Sequence, residues 1–288
     1  MRSKRSERRA AQWSACLLSL VVLSAVAFYS AGCGSVAVEL KEIDEIVEDP
    51  LLYDETNLSK SSAQRRIDQI DREFAEPRTS ASVKLSRETC LHSITSASSY
   101  GALWRGARAC VWLSGHSDDK GEQRRYALEG IQWGEKATQK ADVTAEAYYY
   151  LGLSQLRYFE LSLRKTTSFA LAVKENLNMA AHLNPQLDHC GPKLALGKLL
   201  ILARKVKRNS VGTQNEGLNL IREAAQNCST FGRNHLELAI ALIDTGKHDD
   251  ARVVLDELFQ LPSPPDHTAD HQAWLTRGSE LLNDLPGK

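Results

Sequence analysis

The sequence predicts an all-α protein built from repeated pairs of helices, and two observations carry that prediction. Beyond about residue 54, apolar residues recur at steps of three and four positions in segment after segment, with breaks at Gly or Pro. The period-two alternation of strands is almost absent. In addition, the small residues Gly152, Gly197 and Ala239 occupy equivalent places in successive helices and are 45 and then 42 positions apart, which indicates an internal repeat.

The last repeat has the clearest pattern. The segment from Asn234 to Pro262 resembles one tetratricopeptide repeat over its whole length. Ala239 lets the two helices approach, Gly246 supplies a left-handed C-cap, Ala251 packs on the first helix, and Pro262 ends the second. The predicted fold is therefore a tetratricopeptide-like helical repeat superhelix with degenerate N-terminal repeats.

The repeat domain is predicted to span residues 58–288. Its clearest repeats lie at 144–186, 190–228 and 231–262, and a capping helix at 267–285 covers the end of the array. A period of 42 to 45 residues also fits HEAT repeats. The compact last repeat favours the tetratricopeptide alternative.

The N-terminus has the layout of an export signal. The first nine positions include five basic residues and one acid, and an apolar run from Ala15 to Ala31 follows. The run ends in Ser30-Ala31-Gly32-Cys33, which resembles the lipobox of bacterial lipoproteins. We predict a lipoprotein-type signal peptide at 1–32, lipidation of Cys33 and a tether at 33–57. An uncleaved signal anchor and ordinary cleavage near Ala25–Ala27 remain alternatives.

The predicted removal of residues 1–32 also determines the net charge and the expected location of the mature protein. The whole chain has 36 basic and 36 acidic residues, but from Cys33 onward it has 31 basic and 35 acidic residues, a net charge of −4. A mildly acidic body without a basic cluster excludes nucleic acid as a partner. Export and lipidation together predict a cell-envelope protein, lipid-anchored to a membrane and facing the periplasm.

Four cysteines follow Cys33, and an exported protein can oxidise them. Three pairings are open to four cysteines. A Cys90–Cys110 disulfide would join two neighbouring helices, whereas the alternative is four small buried thiols.

A second apolar stripe runs along the first helix of each repeat, one step round from the small-residue face. This stripe is predicted to line the concave face of the array, where a partner or a hydrophobic ligand would bind. The competing interpretation is ordinary buried core. The candidate binding residues are Tyr149, Leu153, Leu156, Lys198, Ile201, Leu236, Ile240 and Ile243.

The segment from Pro185 to Gly197 resembles a signature of the T-component lipoproteins associated with tripartite ATP-independent periplasmic (TRAP) transporters. His189, Gly191, Pro192 and Gly197 carry this resemblance, which extends over roughly Tyr126 to Leu261. It implies a periplasmic solute-binding protein as partner, a cavity for a hydrophobic small ligand, and possible homo-oligomers.

No motif for an enzyme, a cofactor or a metal site is present. The sequence has no HExxH, no phosphate-binding loop, no GxGxxG turn and no GxSxG elbow. His267 and His271 are two potential metal ligands without a third. The expected function is a non-catalytic, lipid-anchored accessory of a periplasmic solute transporter. The alternatives are a repeat scaffold in outer-membrane or cell-wall assembly and, more remotely, a hydrolase on an all-α frame.

Overall fold

The computed structural model describes residues 60–75, 77–94, 100–140, 143–162 and 165–286. Over these ranges the chain is helical and contains no strand, so the predicted all-α repeat fold is confirmed. The predicted signal peptide at 1–32, the predicted lipidation site Cys33 and the predicted tether at 33–57 lie outside the described residues. The repeat domain is predicted to start at 58, and the first described helix begins at Lys60.

Eleven α-helices follow one another within the described ranges, and a short 3₁₀ turn at Pro265–His267 precedes the last. They are α1 Lys60–Phe74, α2 Ser80–His92, α3 Tyr100–His116, α4 Lys120–Thr138, α5 Ala145–Leu161, α6 Thr167–Leu183, α7 Leu187–Lys205, α8 Gln214–Asn227, α9 Gly232–Asp244, α10 His248–Gln260 and α11 Thr268–Asp284. None of the described helices is long and apolar enough to span a membrane.

Local sequence fixes where several helices begin and end. Thr213 opens α8 with a capping box, in which its hydroxyl accepts from the Glu216 amide while the Glu216 carboxylate accepts from the Thr213 amide. Gly246, between α9 and α10, has a φ of +75°, the left-handed conformation that glycine adopts at low cost. Pro262 lies two residues beyond the end of α10.

Consecutive helices pack as antiparallel pairs, and the odd-numbered helices also contact one another in sequence from α1 to α11. We call these odd-numbered helices the inner layer. Gly197 of α7 faces α8 so closely that a Cβ there would lie 2.6 Å from the carbonyl oxygen of Gly217 and 2.5 Å from Ile221 Cγ1. The small residues identified from the repeat spacing are therefore the points where paired helices touch.

The core runs without interruption along the array. One cluster joins α1 to α5 around Leu103 and Trp133, the next joins α5 to α8 around Phe159 and Leu199, and the third joins α7 to α11 around Leu242. Because each inner-layer helix packs against its own partner and against the next repeat, burial is shared between neighbouring repeats.

Candidate functional site

Five of the eight residues predicted to line a concave face lie in the core. Tyr149, Leu153, Leu156, Ile201 and Leu236 keep between 1% and 8% of their surface exposed, because neighbouring inner-layer helices cover both flanks of α5 and α7. The other three, Lys198, Ile240 and Ile243, are partly exposed. The predicted stripe is thus divided between packing and an accessible surface.

Lys198 and Ile240, but not Ile243, line a groove bounded by α5, α7 and α9, which we call the inner groove. It has a volume of about 150 Å³. Its apolar lining comes mainly from α7 and α9, and its charged rim includes Glu160 at the end of α5. The lining residues are Glu160, Lys198, Ile201, Leu202, Lys205, Ile221, Glu237, Ile240, Ala241 and Asp244.

Two ion pairs bridge α7 and α9 along this groove. Lys198 Nζ lies 2.5 Å from Glu237 Oε1, and Lys205 Nζ lies 2.7 Å from Asp244 Oδ2. Burial acts to raise the pKa of Glu237, but Lys198 and Arg233 outweigh burial and lower it. Glu237 therefore stays ionised, and the charges on the rim of the groove are largely neutralised by pairing with one another. The apolar side chains between the two ion pairs line the open part of the groove.

An unusual backbone conformation precedes the groove at the start of α7. Asp188, His189 and Cys190 have φ values of 48°, 55° and 66°, which form a left-handed turn of three non-glycine residues. Each such residue costs about 1–2 kcal/mol relative to the right-handed conformation. Right-handed helix resumes at Gly191, followed by Pro192, whose fixed φ suits a first helical turn.

Contacts from two distant helices hold the left-handed turn. The Tyr149 hydroxyl on α5 donates a 2.6 Å hydrogen bond to the Asp188 carboxylate, and Asn234 Nδ2 on α9 donates a 2.9 Å bond to the carbonyl oxygen of His189. Arg233 lies 3.8 Å from the same Asp188 carboxylate. Because conformations of this cost persist only when their surroundings impose them, the turn locks α5, α7 and α9 into one arrangement.

Electrostatics keep these partners in fixed protonation states. Burial, and then the negative charge of Asp188, hold the pKa of Tyr149 well above its ordinary value, so its hydroxyl remains a donor. Burial would lower the pKa of Arg233, but Tyr149, Asp188, Glu237 and Asp270 raise it. Near neutral pH the Tyr149 hydroxyl stays protonated and the Arg233 guanidinium stays charged, so neither group exchanges a proton. Their role at the turn is to hold the Asp188 carboxylate by a hydrogen bond and by opposite charge.

An aromatic cluster continues from the turn towards the capping helix. His189 stacks on Phe231 with ring centroids 3.9 Å apart, and Phe231 meets Trp274 of α11 edge-on at 4.9 Å. Burial lowers the pKa of His189 despite the opposing effect of Asp188. His189 is therefore mainly neutral at pH 7 and packs as an aromatic ring.

The disulfide prediction is wrong. The structure joins Cys190 to Cys228, with the two Cα atoms 6.1 Å apart, while Cys90 and Cys110 are free and buried. Cys190 lies near the start of α7 and Cys228 directly follows α8, so the two meet at one end of an antiparallel helix pair. Burial raises the pKa of Cys90 to about 12, and burial with Glu129 raises that of Cys110. Both therefore stay as unreactive thiols.

No group of three or more His, Cys, Asp or Glu side chains in the described part of the chain could hold a metal ion. His271 is buried and its ring lies edge-on to Trp274, while Asp270 is paired with Arg78. His267 and His271 thus belong to the packing of the capping helix.

Comparison with known proteins corrects the family assignment. A family model described as regulator of microtubule dynamics protein 1–3 matches residues 66–190, which extend from α1 to the left-handed turn. This match covers less than half of the 288 residues. The resemblance to the T-component lipoproteins of TRAP transporters is therefore wrong, because the family that matches is a different one. No curated protein matches the chain.

The motif residues behind that resemblance have structural positions of their own. His189 belongs to the turn, and a Cβ on Gly191 would lie 2.2 Å from the Tyr149 hydroxyl. Sequence reasoning missed Arg233 and Asn234, which reach the turn from α9. Their signal was weak, since both lie in the polar first turn of α9, where polar residues are common in any helix.

Proposed function

We propose that this protein is a non-enzymatic binding module whose inner groove holds an amphipathic helix of a partner protein. The observation that carries the proposal is the groove itself, an apolar surface between α7 and α9. The charged side chains on either side of this surface are already paired with one another. Affinity must then come from the exposed parts of Ile240 and its neighbours, because the rim offers little unpaired charge.

The size of the groove favours a protein segment over a small ligand. Its volume of about 150 Å³ is below the range of roughly 300–1,000 Å³ that is usual for small-molecule sites. Such a space suits one or two apolar side chains of a larger partner. A groove between two packed helices is also complementary to the ridge of a third, as the repeats show by packing on one another.

The similarity to regulators of microtubule dynamics is in keeping with a protein that acts through partners. The matched residues include α5 and the left-handed turn, but they end at Cys190, before the groove-lining parts of α7 and α9. Scaffolding in envelope assembly would use the same surface and differs only in the identity of the partner. Export, lipidation of Cys33 and location in the cell envelope remain predictions from the N-terminal sequence.

A library of random 16-residue peptides selected against the full chain tests this proposal. Selected peptides should carry apolar residues at i, i+3 or i+4, and i+7, the pattern of a helix in a groove. Replacing Ile240 by Lys should weaken their binding about tenfold or more, which corresponds to about 1.4 kcal/mol. The matched control is Leu183→Lys, since Leu183 is 48% exposed at the end of α6, away from the groove.

Fluorescence anisotropy with labelled peptides provides the affinities, and circular dichroism verifies that both variants are folded. Peptides that bind the Ile240→Lys and Leu183→Lys variants equally well would place the binding surface elsewhere. Failure to select any binding peptide would also count against the proposal.

A further inference from the structure

We propose that the Cys190–Cys228 disulfide is a redox modification site, and that its reduction releases the left-handed turn and loosens α9 from α5 and α7. This inference concerns regulation of the inner groove and rests on the proposed function only for its effect on binding. The conformational part stands on the geometry of the turn and can be tested without any ligand.

The two cysteines of the disulfide differ in exposure. Cys190 is 1% exposed, whereas Cys228 is partly exposed beyond the end of α8. An incoming thiolate can therefore reach Cys228 Sγ, and Cys190 is the leaving group. Cys190 directly precedes the right-handed part of α7, where the N-terminal end of the helix favours a developing negative charge.

The reaction requires a dithiol reductant. One thiolate attacks Cys228 Sγ, the bond between Cys228 and Cys190 breaks, and its electron pair leaves on Cys190 Sγ, which takes up a proton. The second thiol of the reductant then attacks the mixed disulfide and displaces Cys228, which is also protonated. Two electrons and two protons pass to the protein, and the reductant is oxidised to its own disulfide.

Loss of the disulfide should act first on the left-handed turn, because Cys190 is the third left-handed residue of that turn. Once the covalent link is broken, the turn is opposed by the preference of three non-glycine residues for right-handed backbone. It is then held by the bonds from Tyr149 and Asn234 and by the stacking of His189 on Phe231. Asn234 and Phe231 lie at the start of α9, so movement of the turn reaches one wall of the groove.

Among the described cysteines, only Cys190 and Cys228 form a bond that a reductant can break. The other two cysteines of the described chain, Cys90 and Cys110, are fully buried and have pKa values raised by burial. Both are already free thiols, so a dithiol reductant has no bond to break there. The redox response of the described residues is therefore confined to one bond.

Amide hydrogen exchange of the full chain, with and without dithiothreitol, tests the inference. Reduction should speed exchange about tenfold or more at residues 188–191 and in the first two turns of α9, while α5 and the middle of α8 keep their protection. A Cys190→Ser, Cys228→Ser double variant should reproduce the reduced pattern without reductant. Unchanged exchange would show that the remaining contacts hold the turn, and unfolding of the whole array would show a structural staple; either result overturns the proposal.

The selected peptides separate this inference from the proposed function. If reduction loosens the turn and weakens peptide binding at least threefold, the groove is under redox control. Local loosening with unchanged affinity overturns the regulatory link but leaves binding intact. A chain that binds no peptide in either state refutes the proposed function, whereas the exchange measurement still decides whether the turn responds to reduction.

Discussion

Asp71 on α1 is shared by two arginines of α3. Arg105 donates to both carboxylate oxygens at 2.8 and 2.9 Å, and Arg108 donates to one of them at 2.8 Å. Arg108 also lies over the Phe74 ring at 4.0 Å. Burial acts to raise the pKa of Asp71, but the hydrogen bond from Arg105 and the charges of both arginines outweigh burial and lower it below its ordinary value of 3.8.

This lowered pKa predicts a pH dependence of stability. A carboxylate whose pKa is lower in the folded state stabilises the fold above its unfolded pKa, which is 3.8 for Asp71, and loses that effect as the pH falls through the folded value. Asp71→Asn should therefore destabilise the protein at pH 7 but much less at pH 2.5. Because the side chain is 40% exposed, solvent screening limits the effect at pH 7 to about 1 kcal/mol.

Urea unfolding of both proteins at pH 7, 4 and 2.5 measures the difference. Asp68→Asn serves as the control on the same helix, since Asp68 is exposed and accepts a hydrogen bond from Gln64. A difference for Asp71→Asn that stays constant over this pH range would mean that its charge contributes nothing to the fold.

The left-handed turn shows where single residues resist prediction from sequence. The helix beginning near Gly191 could be located from Pro192, which suits a first helical turn. The conformation of the three residues before it depends on Tyr149 and Asn234, which are 39 and 45 positions away in sequence. Long-range hydrogen bonds of single polar side chains leave no periodic signal in the chain.

At the scale of helices, sequence was most informative where packing imposes a repeated requirement. The period of small residues found Gly152 and Gly197, each of which faces its partner helix at a distance that excludes a Cβ. The same repeat boundaries placed Cys190 and Cys228 at the two ends of the repeat 190–228. An antiparallel pair brings those ends together, so the correct disulfide could have been inferred from the repeat, instead of from the nearness of Cys90 and Cys110 in sequence.

The close contact between α7 and α8 at Gly197 predicts that alanine substitution changes stability in opposite directions at Gly197 and at Gly115. Gly197→Ala should lower the free energy of unfolding by about 1–3 kcal/mol, because the added methyl group would press against the Gly217 carbonyl, which is backbone and cannot turn aside. The loss exceeds what alanine gains as a better helix former, which is about 1 kcal/mol.

Gly115→Ala is the matched control in α3, since a Cβ there meets nothing within 4 Å. That variant should be stabilised by about 0.5–1 kcal/mol. Chemical denaturation followed by circular dichroism compares the two. Equal stabilisation of both variants would mean that α7 and α8 can separate freely, which contradicts the close packing at Gly197.

At the scale of the whole molecule, the contacts of Arg78 with Asp270 and with His267 depart from the nearest-neighbour pattern of repeat arrays. Arg78, between α1 and α2, pairs with Asp270 of α11, a residue 192 positions later. The Arg78 side chain is only 13% exposed and lies over the Phe74 ring at 5.4 Å. The repeat period predicts neighbour packing alone, so nothing in it could indicate a contact between the first described helices and the last.

Such a contact should couple the stability of the two ends. In an open array the terminal helices fray independently, because each repeat contacts only its neighbours. Asp270→Asn weakens the pair with Arg78, and should therefore speed amide exchange about tenfold in α1 and α2 as well as in α11. The central helices α5 to α8 should keep their protection, since they do not depend on this contact.

Glu280→Gln provides the comparison within α11, because Glu280 pairs with Arg277 on the exposed side of that helix. It should leave the exchange of α1 and α2 unchanged, as expected for a surface pair worth less than about 1 kcal/mol. If Asp270→Asn affects α11 alone, the ends are energetically independent and the Arg78–Asp270 pair is a local contact. Faster exchange in α1 and α2 would instead show that the pair closes the array, so that loosening at α9 and α11 is felt at the opposite end of the chain.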